Sequence, residues 1–247
     1  MNRRTSRHVL VPVFAAMNAR TMLAIACMAI ASNVAPAAGA VPPKAGKTPD
    51  STEQAKETAD PLKYHAFQLG VVTCRTLHSK AAGNHPDDDG IKQLRQRYHQ
   101  VGLKDEFANA SLLDKNCTYQ ELAQVLLGEC CREIESRLGK RGLAAKYSFM
   151  LGVHMQIVDH LLRVDMGDLS PETRKDIEGY LNETLPENAK AAGCSKEFLE
   201  FLRDVLRTVD SEDVPTKSRR KWADMIAALN DKEKAMKIMN GNEGSKR

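Results

Sequence analysis

The chain has 247 residues, 36 Lys+Arg against 32 Asp+Glu, and only 5% aromatic residues. Four of the basic residues (Arg3, Arg4, Arg7, Arg20) lie in the first 40 positions, which hold no acid, so the remaining chain is balanced at 32 against 32. That balance excludes the basic surplus a nucleic-acid binder needs, and a composition rich in Leu, Ala, Met, Glu and Lys favours helix over strand.

Residues 1–40 read as an export signal. Arg20 precedes the apolar run Thr21–Ser32, and small residues close the segment at Ala38-Gly-Ala40, a signal-peptidase pattern. A start at Met17 would give the leader ordinary proportions: a short cationic head, an apolar middle and a cleavage site. A broken membrane anchor is the competing reading, but neither Val9–Phe14 nor Thr21–Ser32 reaches the roughly 18 residues a span needs. A lipoprotein reading at Cys27 is weakened because Leu23 sits one place too far upstream. The expected location is therefore periplasmic or secreted.

Residues 41–60, with Pro42, Pro43, Gly46 and Pro49, read as a disordered linker. An all-helical domain is expected over 61–229. The predicted helices are about 61–81, 90–101, 104–113, 118–138, 142–164, 170–185, 195–206 and 216–229, by apolar periodicity with start and stop signals. Thr118-Tyr-Gln-Glu121 has the form of a capping box. Ser170-Pro-Glu172 places a cap before a first-turn proline. The apolar stretch 147–164 carries His154, Gln156, Asp159, His160 and Arg163, which marks a buried core helix rather than a membrane span. Residues 230–247 are charged and are expected to fray as a tail.

Phe67-Gln-Leu-Gly-Val71 recurs as Phe149-Met-Leu-Gly-Val153, and each copy has a histidine 11 residues after its Phe, His78 and His160. Phe67, Val71, Cys74 and His78 fall within roughly a 60° sector of one helix face, as do Phe149, Val153, Gln156 and His160. Gly70 and Gly152 would let another helix approach at matching points. The expected architecture is a helical bundle of two pseudo-symmetric four-helix units, 61–139 and 142–229, from an internal duplication. A chance match of one short window is the competing reading.

Five cysteines remain beyond the leader: Cys74, Cys117, Cys130, Cys131 and Cys194. In an exported protein they read as disulfide candidates with one thiol left over. Cys130 and Cys131 point about 100° apart on a helix and should meet different neighbours. No Cys-x-x-Cys is present, which argues against a redox or zinc thiol site.

His78 and His160 are the candidate metal or haem ligands, on the condition that the two units pair. Packing histidines are the plainer alternative, since no third ligand is placed by spacing. Met150 and His154 stand at the i, i+4 spacing that could hold copper, though methionine at that spacing more often fills core. His85–Gly90 fails the EF-hand register, leaving helix capping to its aspartates. Lys217–Trp222 is a basic patch best read as a solvated helix face. No nucleophile elbow, phosphate loop, dinucleotide fingerprint or zinc-protease motif is present. The expected function is an exported, non-enzymatic protein that binds another protein, as an inhibitor, immunity or accessory factor would. The alternative is a metal- or haem-binding periplasmic protein using His78 and His160.

Overall fold

The computed structural model describes residues 61–163, 170–208 and 216–240. Among them the chain is all-α, as the composition predicts, with no strand. The leader, the alternative start at Met17, the 41–60 linker and the end of the tail (241–247) lie outside the described residues.

In chain order, α1 spans Pro61–Ala81, α2 Asp88–Val101, α3 Glu106–Leu113, α4 Tyr119–Ala123, α5 Cys130–Leu138 and α6 Gly142–Leu161. Then follow α7 Pro171–Gly179, α8 Leu185–Ala191, α9 Lys196–Leu206, α10 Thr216–Asn230 and α11 Lys232–Asn240. Wider π turns at Gln124–Glu129 and Tyr180–Thr184 join α4 to α5 and α7 to α8.

The start signals act as predicted. Thr118 Oγ1 accepts from Glu121 N at 3.2 Å, and Glu121 Oε2 accepts from Thr118 N at 2.7 Å. Ser170 caps α7 through Thr173 N, Asp87 caps α2 through Gly90 N, and Ser195 caps α9 through Phe198 N. Gly102 ends α2 at φ 79°, a left-handed conformation that glycine adopts without steric penalty.

Two stretches differ from expectation. The helix begun at Ser170 does not stop near Leu185; it continues to Ala191. Pro186 lacks the N–H that would bond Asn182 O, and the backbone loosens into the preceding π turn instead of breaking. Residues 232–240, expected to fray, form α11. Asp231 Oδ1 accepts from Lys234 N at 3.1 Å, and Ala235 and Met239, one turn apart, are fully buried. With Ile238 also packed against the core, this apolar face docks a segment whose other side is charged.

The core is continuous from Ala66 to Met239. Its centre is the pair α1 and α6, each buried on most of its circumference. Helices α2, α4 and α11 pack on α1, while α5 and α8 pack on α6. The helix expected to be buried over 147–164 is largely buried over 147–162, its Arg163 end being exposed, and no described helix is long and apolar enough to cross a membrane.

The predicted disulfides are corrected. All five described cysteines are free thiols. The helices and loops that carry them place the sulfurs against other groups. Cys131 Sγ donates to Met150 Sδ at 3.6 Å, and Cys117 Sγ lies 3.5 Å from Thr118 O. Cys130 and Cys131 do meet different neighbours, Cys130 lying close to Tyr98. Cys74 is buried between α1 and α6, and Cys194 lies near Lys63.

Candidate functional site

The closest feature of the central pair is reciprocal. A Cβ built on Gly70 would overlap Phe149 O and lie 3.0 Å from Val153 N. A Cβ built on Gly152 would overlap Phe67 O and lie 3.0 Å from Val71 N. Each glycine thus rests on the backbone of the other helix at the matching position, which fixes α1 and α6 side by side, in register and running the same way. Eight residues on, about 12 Å further along each axis, the same register delivers His78 and His160 to one place.

Their rings stand 5.2 Å apart between centroids, tilted by 53°. The two candidate ligands predicted from spacing are therefore brought together. Both occupy the last turn of their helices. They line a cavity of about 210 Å³ with Cys74 and Arg75 of α1, and with Gln156, Asp159 and Arg163 from the other side. Arg75 Nε donates to Gln156 Oε1 at 3.1 Å, tying the helices together, and Arg163 pairs with Asp159 at 2.8 Å.

Burial lowers the His78 pKa. Burial first, then the charge of His78, lowers that of His160; Arg163 adds to this and Asp159 opposes it. Both imidazoles are thereby biased to the neutral form, which keeps a lone pair on one nitrogen. Nδ1 of His78 and Nε2 of His160 are shielded from solvent and have no hydrogen-bond partner among the described residues. The Cys74 thiol is pushed up to about 12 by burial, so it stays protonated and is a poor nucleophile or ligand at neutral pH.

A haem does not fit this cavity. Even drug-sized ligands, smaller than haem, fill pockets of about 300–1,000 Å³. A metal ion fits by size and by donor type. Among the described residues no group of three or more His, Cys, Asp or Glu is arranged to hold a metal.

The Met150–His154 copper pair does not form. His154 Nδ1 bonds Tyr180 Oη at 2.7 Å, and Met150 accepts from Cys131. His85 Nε2 bonds Leu112 O at 3.0 Å and belongs to packing. Lys217, Arg219, Arg220 and Lys221 are exposed, while Trp222 is buried and stacks on Phe201, which matches a solvated helix face. A shallow groove beside Cys117, between α3 and the α4 turn, gathers no other predicted site residue.

Arg75 and Asp159 are cavity residues that spacing did not single out, whereas Gln156 was placed on the His160 face. Their signal was available: each lies one to four residues before a paired histidine, on the same helix end. Tyr180 was missed because its partner His154 lies 26 residues away on another helix. No family model matches the chain, and no curated protein or solved structure is significantly similar to it.

Proposed function

We propose that this chain is an exported, non-enzymatic helical protein that works in the periplasm or outside the cell by binding another protein, as an inhibitor, immunity or accessory factor would. The observation that carries this reading is the apolar run Thr21–Ser32 closed by Ala38-Gly-Ala40, ahead of a charge-balanced, helix-forming body. A rigid central pair suits such a role, because a binding face held on close-packed helices loses little freedom on association. Cell fractionation with N-terminal sequencing tests the address. A chain beginning near Val41 outside the cytoplasm is expected, and an uncut cytosolic chain overturns the reading. Calorimetry against the products of the adjacent reading frames tests the role. Saturable one-to-one binding supports it; substrate turnover by the purified protein overturns it.

The finer architecture belongs to the same proposal: a bundle whose halves, 61–139 and 142–229, arose by duplication. The reciprocal glycine contacts support it, as does a further pair at the same 82-residue offset, the buried Tyr98 and Tyr180. Relatives aligned half against half should keep these pairs; halves no more alike than shuffled sequence would remove the idea.

The second reading is a metal-binding protein using His78 and His160. The meeting of the two rings at one helix-pair end favours it.

A further inference from the structure

We infer that His78 and His160 form an open, two-imidazole site for a divalent late transition-metal ion of the zinc and copper class. The inference rests on the second reading above and deepens it. Two imidazoles sharing one tetrahedral ion, with metal–nitrogen bonds of about 2.0–2.1 Å, hold their ring centres roughly 5 Å apart. These rings stand at 5.2 Å. Separately, each ring has one solvent-shielded nitrogen without a hydrogen-bond partner. A buried nitrogen left so is destabilising, and an ion between the rings supplies the missing partner.

The charges around the pair are mixed. Both histidines lie in the last turns of α1 and α6, whose carbonyl ends carry partial negative charge and favour a cation. Asp159 and Arg163 cancel as an ion pair, and Arg75, bonded to the neutral Gln156, leaves one positive charge that opposes the cation. Imidazole donors select zinc, copper and nickel over magnesium and calcium. With no third protein ligand grouped among the described residues, water or an outside donor completes the shell. The site therefore holds its ion less tightly than a closed structural zinc site and keeps positions free for a small molecule or a partner's side chain.

The test is titration of the metal-stripped, full-length protein with Zn²⁺ by calorimetry, and with Cu²⁺ by electron paramagnetic resonance. One ion per chain is expected, with the copper signal split by two imidazole nitrogens. His78→Ala and His160→Ala should each weaken binding by roughly 100-fold, while His99→Ala, on the exposed face of α2, leaves it unchanged. Absence of saturable binding overturns the inference, as does binding that both cavity variants retain. If a variant fails to fold by circular dichroism, the wild-type copper spectrum decides, since fewer than two coordinated imidazoles also overturns it. Binding of Fe²⁺ that both cavity variants weaken, without zinc or copper binding, would sink this inference and keep the second reading. Neither signal would sink both.

Discussion

His154 shows how one residue ties the interior to solution conditions. It is 1% exposed, its ring bonds the Tyr180 hydroxyl, and burial pushes its pKa down to about 4 from an unfolded value of 6.5. The unfolded chain then binds the proton more readily than the folded one. This contribution to stability is complete above pH 6.5 and is lost as pH falls from there towards 4. Between pH 7 and pH 5 the loss should be about 2 kcal/mol, read by urea unfolding at the two pH values. His154→Gln keeps a polar partner for Tyr180 and removes the titration, so its pH slope should be shallower. An unchanged slope would refute the assignment. At the surface, Thr118→Ala removes the hydroxyl half of the capping box and should cost about 1 kcal/mol at pH 7, measured the same way. That cap was legible from four residues. The His154–Tyr180 bond was not, because no local pattern states which helix will face a lone histidine.

Among the helices, the crossing at Gly70 and Gly152 decides the most. Neither position has room for a methyl group, and what it would meet is backbone, which cannot swing aside. Gly70→Ala or Gly152→Ala should destabilise by about 3 kcal/mol or more, and the two losses should be similar because their surroundings are equivalent. Helix α11 makes a second, smaller case. Met239→Ala should cost about 2–3 kcal/mol if the segment docks as described, against nearly nothing for a free tail; thermal unfolding separates the two. Most helix limits followed from caps and periodicity. The Pro186 helix and α11 did not, since a proline and a charged run both signal an ending when read locally. Their continuation depends on neighbours: Leu185 and Ala189 for one, and the side of α1 for the other. The histidine meeting was legible only as a conditional, because the repeated Phe-x-Leu-Gly-Val window gave the spacing but not the contact.

Over the whole molecule, the thiols set a simple expectation. With Cys74, Cys117, Cys130, Cys131 and Cys194 all free, stability owes nothing to a covalent crosslink within the described residues. Thiol counting on denatured, unreduced protein should find these five, and a reductant should leave the midpoint of thermal unfolding in place. A fall of several degrees on reduction would contradict this. Cysteine count and the expected compartment pointed the other way, because they report on where a chain travels and not on which sulfurs its helices bring face to face.

The docking of α11 has a geometric outcome for how the protein can be held. Lys63 Nζ donates to Met239 O at 3.4 Å, and Tyr64 Oη donates to Asn230 O at 3.3 Å. The first and last described helices therefore begin and end side by side. His78 lies 15 residues beyond Lys63 along α1, or about 22 Å away. Holding the protein through a rigid link at Lys63 leaves the imidazole pole turned away from the support, where titrants reach it unhindered.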